Sequence, residues 1–510
     1  MTKMKKGVTN KSVCLISLVV TQFLLMSCSN QKSTLNQVAD NKNQNTLSCI
    51  NNKNTDNQRV LTESSLRKRV KLESEALTLF SISERMEYYK VPAVSVAVMK
   101  QGKVEWSKAY GVKSFTSQES VDCNTLFQAG SLSKPVTMLA AMRMHEAGEI
   151  DLDKDINQYL KVYELPEGKQ TVDNPVTFRN ILKHTSGITS GGYRGYANDE
   201  GFPSDIEVLT KSGVTNSKLV EVLQVPGKEL AYSGGGYTVA ELAMQDVTQQ
   251  SFKELMDIWI LNPLKMSNAD FAQPLPPTKH ERVARGHSLD GKMVKGGWHD
   301  YPEQAAAGLW ATATDMALFM IEIHKGYHGK SAIFKKSMIM KMLSQPRDKH
   351  VYGFHIRGEG ENLLISHYGG TAGYTAGMHI YLESGDGLSY LTSSGNNGGA
   401  LSQELEFAVS DIYGWPDFKQ HNVTRRSVSS KALKNLAGQY SFGGWAINIE
   451  FSESDNNITV VFPNNDRYQL IPTTDSEHGF VHMLTGTKVS FPVKKDLNTI
   501  LIYGQTGTKL

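Results

Sequence analysis

The chain predicts an α+β protein in which helices pack on a largely antiparallel sheet, followed by a small all-β module. Three observations carry this reading. An amphipathic segment runs from Leu72 to about Lys90 and leads into a β-branched run over 91–99, which turns at Gln101-Gly102 into a second alternating run over 103–110. Strand-like runs return at 363–365, 377–382 and 388–393, after a middle section, 135–330, that reads mainly as helix and loop. Beyond Trp415 the composition changes. Residues 416–430 are polar and irregular, and after Leu433 short runs at 445–451, 458–462, 479–484 and 499–503 alternate with Asn, Asp and Gly clusters, the pattern of a closed or nearly closed small sheet.

At 510 residues the chain is too long for one ordinary domain. With 54 Lys plus Arg against 51 Asp plus Glu, 40% hydrophobic residues and four cysteines, it is neither wholly disordered, nor a polytopic membrane protein, nor a disulfide scaffold. Residues 1–27 carry Lys3, Lys5, Lys6 and Lys11 and no acid, so removing them takes the formal charge from +3 to −1. A balanced chain has no global electrostatic pull toward nucleic acid.

That N-terminal segment is basic through Lys11 and then apolar from Val13 to Met26, too short and interrupted for a membrane span, which is the pattern of a signal peptide over 1–27. It ends in Leu25-Met26-Ser27-Cys28, which resembles a bacterial lipobox and predicts lipidation of Cys28; ordinary signal-peptidase cleavage stands as the alternative. Ser29 rather than Asp follows, so the expected place is a periplasmic lipoprotein of the cell envelope, on the outer membrane if there are two. Residues 28–66 read as a disordered polar tether. Cys49 in the tether and Cys123 in the body can pair in an oxidising compartment or remain free thiols.

The chemistry concentrates in Phe127-Gln128-Ala129-Gly130-Ser131-Leu132-Ser133-Lys134, which opens a helical pattern. Ser131 and Lys134 are three apart and project side by side at a helix start. A serine hydroxyl needs a neighbour to take its proton, and the helix N-terminus points N–H groups at a developing oxyanion. Ser-x-x-Lys alone is a weak signal. Further pieces follow in order: His184-Thr185-Ser186-Gly187; Tyr232-Ser233-Gly234-Gly235-Gly236 before a helix; Ala307-Gly308-Leu309-Trp310; and His367-Tyr368-Gly369-Gly370 at a strand edge.

These motifs, in this order and spacing, resemble the serine β-lactamase and penicillin-binding protein superfamily, specifically its class C-like branch of esterases and D-amino-acid peptidases. The resemblance covers roughly residues 72–415, and Gly438-Gln439-Tyr440 with the strands behind it resembles the small β-barrel often appended to that branch. It implies a β-lactamase-like fold, with a hydrolase domain over 67–420 and a barrel-like domain over 431–510. It implies Ser131 as the acylated nucleophile, Lys134 as its proton partner and Tyr232 as proton shuttle. It also implies an oxyanion hole of the Ser131 and Gly370 N–H groups, with Gly370 allowing close approach of the substrate carbonyl. His367, Gly369 and Gly234 fall at its substrate-binding positions. No metal or organic cofactor is implied.

Two departures bear on substrate. Where the branch usually has Tyr-x-Asn, whose amide binds the substrate's amide, this chain has Gly234, which removes that group and is expected to widen the site. Where β-lactamases carry Lys-Thr-Gly it has His367-Tyr368-Gly369, which weakens the fixed charge available to a substrate carboxylate; a histidine at a strand end can also simply fill a hydrogen-bonding slot. The expectation is an exported serine hydrolase acting through a Ser131 acyl-enzyme on D-amino-acid peptides of the cell-wall type or small esters, with weak or no β-lactamase activity. A true β-lactamase and a non-catalytic envelope receptor for peptidoglycan fragments are the alternatives.

Other candidates read as structural. His184 belongs to a turn. His145-Glu146 lacks the second histidine of a zinc motif and reads as a helix end stopped at Gly148. Asp151, Asp153 and Asp155 lead to Ile156 where a calcium loop needs Gly. Residues 234–236 lack the strand and spacing of a phosphate cradle. Tyr193, Tyr374 and Trp310 are candidate cleft walls, with ordinary packing the safer reading.

Overall fold

The computed structural model describes residues 49–510, apart from 51–55, 190, 443–444, 464–466, 475–478, 484–485 and 492–497. The expected signal segment, Cys28 and the tether as far as residue 48 lie outside the described residues.

The expected tether is corrected from Asp56 onward. Helix α1 (Asp56–Glu63) forms there, and Glu63 accepts from Lys108 Nζ at 2.8 Å and Tyr110 Oη at 2.9 Å. A polar sequence folds because its carboxylate finds partners forty-five residues away, which composition cannot reveal. Just upstream, Ile50 exchanges two hydrogen bonds with Ser107, and Cys49 is disulfide-bonded to Cys123, which settles the open pairing. The helix expected from Leu72 starts later. Helix α2 (Ile82–Tyr89) is fixed by a capping box of Ser81 and Glu84 and ends at left-handed Lys90, while Val70–Leu72 forms a short strand beside His421–Val423.

The main sheet is built from β1 (Ala93–Lys100), β2 (Lys103–Gly111), β3 (His350–Val351), β4 (Phe354–Arg357), β5 (Leu364–Thr371), β6 (Tyr374–Tyr381) and β7 (Gly387–Thr392). Its order is β2-β1-β7-β6-β5-β4-β3, and every pair is antiparallel. The continuous apolar run of β1 is explained by helices on both faces. Ala93, Ala97 and Met99 join the core formed with α3 (Ser133–Ala147), and Val94, Val96 and Val98 join Ile82 and Met86 of α2 on the opposite side. The two-residue period of the strand thus divides one run between two cores.

Within the helical middle, the single turn α5 (Gln304–Ala307) packs against both α3 and α4 (Gly234–Thr248), and α6 (Ala313–Tyr327) lies on the sheet. Helix α7 (Asn396–Tyr413) covers the α2 face.

The C-terminal module is a closed barrel of eight antiparallel strands, against four strong strand runs in the sequence. Closure is made by Gly438–Ser441, which pairs with both Ala446–Ser452 and Gln505–Lys509. The short strands Arg467–Pro472 and Lys488–Ser490 were masked by polar outward residues. Inside, Tyr440, Ile447, Ile458, Leu470 and Ile500 share a core with Leu433 and Leu436 of the preceding helix.

Candidate active site

Ser131 stands at a strand-turn-helix junction. The strand Phe127–Gln128 pairs with Trp310–Ala311, the chain turns through Gly130 at φ +54°, and α3 begins two residues after the serine. Ser133, which sequence reasoning passed over, pins this turn: its buried hydroxyl donates to Gly130 O at 2.6 Å and accepts from Leu309 N at 3.0 Å. Ser131 is left half-buried.

Lys134 is only 2% exposed. Its Nζ donates to Ser131 Oγ at 3.1 Å and to Ala306 O at 2.7 Å, and lies 4.9 Å from the centre of the Tyr232 ring. The α5 turn that supplies the Ala306 carbonyl is held by Glu241 of α4, whose carboxylate accepts from Ala305 N at 2.8 Å. Glu303, at the start of the same turn, is fully buried, and neither of its oxygens has a partner among the described residues. Burial pushes its carboxyl up to about 8. These two acids were missed in the sequence; a lone acid before Gln304-Ala305-Ala306-Ala307 was the available signal.

Tyr232 is 41% exposed and precedes Ser233, the N-cap of α4. Its backbone is set by His184: Ala231 N donates to His184 O at 2.8 Å, Ser233 N donates to His184 Nδ1 at 3.2 Å, and the imidazole lies 4.4 Å from the Tyr232 ring. The histidine read as a turn residue thus holds the tyrosine from beneath.

His367, on β5, is 4% exposed, with its ring 6.4 Å from that of Tyr232. Burial, followed by the charge of Lys134 and then His355 and His184, holds it well below the ordinary imidazole range and favours the neutral ring. It therefore supplies no fixed charge for a substrate carboxylate.

The glycines after it are a matter of contact distance. A Cβ on Gly369 would stand 2.0 Å from Ala129 O and 3.1 Å from Ser131 N, and one on Gly130 would stand 2.9 Å from Gly370 N. A Cβ on Gly370 would meet nothing nearer than Tyr374 O at 3.8 Å. A second glycine is required at Gly369, because β5 crosses the Ser131 turn there, while the space beside Gly370 is open. We expect Gly369→Ala to separate the Ser131 and Gly370 N–H groups and lower kcat/KM for an ester roughly 10²-fold or more with little change in KM, checked by steady-state kinetics alongside Tm. A variant within threefold of wild type would contradict this.

Gly234 does not widen the site as expected. The Tyr193 ring stands in the space, with Cε2 2.9 Å from where a Cβ would be. Trp310 and Tyr374 are fully buried packing residues. Asp153 pairs with Arg179, Asp155 caps a short turn, and Gly148 ends α3 in the left-handed conformation. The arrangement thus brings Ser131, Lys134, Tyr232, His367, Gly369 and Gly370 around one cleft, with hydroxyl and amine in proton-transfer reach and backbone donors beside them.

Comparison with known proteins places these features. The beta-lactamase family model matches residues 81–408. Protein flp of Staphylococcus aureus (strain N315) is 28% identical over 213 residues, 39% of this chain and 39% of flp. The teichoic acid D-alanine hydrolase of Staphylococcus aureus is 23% identical over 265 residues, 52% of this chain and 62% of that protein. The match to this chain thus spans between about two fifths and three fifths of the length of these relatives. The octameric penicillin-binding protein homologue from Pyrococcus abyssi superposes with a TM-score of 0.57 at 22% identity, over 84% of this chain and 98% of that one. FmtA from Staphylococcus aureus superposes with a TM-score of 0.52 at 19% identity, over 77% and 98%. At these identities the two structures show a shared fold.

Proposed function

The chain belongs to the beta-lactamase family of serine hydrolases, and from that premise we propose that it cleaves D-alanyl esters or amides of the cell-wall type through an acyl-enzyme on Ser131. The observation that carries this is the Lys134 Nζ to Ser131 Oγ contact of 3.1 Å at a helix start, beneath Tyr232 and against the glycine strand.

Ser131 Oγ attacks the acyl carbon as its proton passes to the Lys134–Tyr232 pair. The oxyanion that forms is held by the N–H groups of Ser131 and Gly370. Collapse breaks the bond to the alcohol or amine, which leaves with the proton delivered through Tyr232. Water then enters, is deprotonated by the same pair and releases the acid. His367 and the exposed Gly370 border the substrate side, with Gly369 packed on the Ser131 turn and Gly234 covered by Tyr193. A neutral His367 supports an acyl donor without a carboxylate beside the scissile bond, as does the name of the D-alanine hydrolase among the relatives.

The same proposal covers the setting: export by the segment 1–27, lipidation at Cys28, an envelope location, and division into a hydrolase body over 67–420 and a barrel over 431–510. The Cys49–Cys123 bond supports an oxidising compartment.

The test is intact-protein mass spectrometry with a fluorophosphonate, together with turnover of D-alanyl esters, D-Ala-D-Ala peptides and nitrocefin. A single adduct on wild type, none on Ser131→Ala, and ester turnover above that of nitrocefin are expected. Equal labelling of both proteins, or no turnover of any substrate, would sink the proposal.

A further inference from the structure

The glycine run 234–236 has structural partners in residues 187–189 and 191–193. A Cβ on Gly235 would stand 2.4 Å from Thr189 O, and Ser233 Oγ donates to that same carbonyl at 3.0 Å. The loop backbone therefore lies directly on the first turn of α4, and only glycine permits it. Gly191 and Gly192 carry the loop past Tyr232, and Tyr193 follows.

The ring of Tyr193 fills the volume that any side chain at 234 would need, with Cε2 at 2.9 Å and Cδ2 at 3.4 Å from the Cβ position. Its hydroxyl is tied to Thr238 Oγ1 at 2.8 Å, one helical turn along α4, and Thr238 Oγ1 donates to Gly234 O at 3.3 Å. The ring is thus fixed at its far end against the first turn of α4. Position 234 is two residues from Tyr232 at the start of the helix, where the resembled motif carries the amide that meets the acyl side of the substrate. An amide there would offer a donor and an acceptor; the aromatic ring that takes its place offers neither.

We propose that Tyr193 determines acyl specificity: it closes the subsite beside Tyr232 to N-acylated substrates and favours acyl donors whose α-amine is free. A compact ammonium is attracted by an aromatic face, whereas a buried secondary amide that finds no partner is penalised. The proposal rests on the acyl-enzyme reading above and deepens it.

The experiment compares kcat/KM for the thiobenzyl ester of D-alanine with that of N-acetyl-D-alanine, whose leaving groups are identical, in wild type, Tyr193→Ala and Tyr193→Phe, with Tm measured for each. Wild type is expected to prefer the free amine. Tyr193→Ala is expected to reduce that preference about tenfold, mainly through a lower KM for the N-acetyl ester. Tyr193→Phe, which keeps the ring, retains the preference. A folded Tyr193→Ala with an unchanged ratio, or a wild type preferring the N-acetyl ester, overturns the inference and leaves the acyl-enzyme reading intact. No turnover of either ester, with no fluorophosphonate adduct on Ser131, overturns both.

Discussion

Lys134→Met is expected to lower kcat/KM for ester substrates roughly 10²–10⁴-fold while the protein stays folded, because the variant removes the group that exchanges a proton with Ser131 and keeps its volume. Lys134 Nζ is held by Ser131 Oγ and Ala306 O and is almost wholly buried, so an unbranched apolar side chain can occupy the same channel. Lys134→Arg should not rescue, since a planar guanidinium neither fits nor gives up its proton. A second readout separates charge from packing. Burial and then Lys134 hold both His184 and His367 well below the ordinary imidazole range, with smaller contributions from His350 and His355 at His184 and from His355 and His184 at His367. Removing the cation favours the imidazolium form, so both titration midpoints should rise without reaching the ordinary value, because burial remains. NMR titration of the histidine C2 protons reads this directly. Activity within tenfold of wild type, or midpoints that do not move, would count against the assignment.

Glu303→Gln should stabilise the protein above neutral pH. The Glu303 carboxyl is fully buried without a partner among the described residues, and burial raises it from the usual 4.5 to about 8. A folded-state value above the unfolded one means that the folded protein holds the proton more tightly. The associated stability is complete below about pH 4.5 and is lost as pH rises toward 8. Each pH unit in that window removes about 1.4 kcal/mol, so on the order of 3 kcal/mol disappears between about pH 5 and pH 7. Glu303→Gln keeps the shape and removes the titration. Its urea midpoint should depend less on pH than that of wild type and should exceed it at about pH 8. Glu241, raised well above its usual range, and Asp205, raised to about 6, act in the same direction, so the profile flattens without becoming level. An unchanged slope would show that Glu303 is ionised in the folded protein.

The parts of the site legible in the sequence are those made by local geometry. Ser131 and Lys134 meet because they stand three positions apart through the short helical turn that Gly130, at positive φ, opens and that leads into α3. The sheet was legible from runs whose alternation divides them between two cores, as β1 shows. Less legible was anything whose partner is distant. The polar residues 56–63 read as tether because the Lys108 and Tyr110 that hold Glu63 lie on a strand far along the chain. The helix expected from Leu72 was displaced to Ile82 because the Ser81–Glu84 capping box outweighed the apolar spacing before it. In the barrel, closure is a property of eight strands together, and strands of three to seven residues leave little periodicity to read.

By itself, then, the sequence determined the α+β class, the order of the motifs and the serine–lysine pair, because short-range spacing dictates all three. Only the tertiary structure decided that His184 supports Tyr232, that Gly369 is the glycine a close crossing requires, and that the space at Gly234 belongs to Tyr193. The physical reason is the same in each case: excluded volume and hydrogen bonding act between surfaces brought together by the fold, and a missing side chain tells nothing until its neighbour is in place.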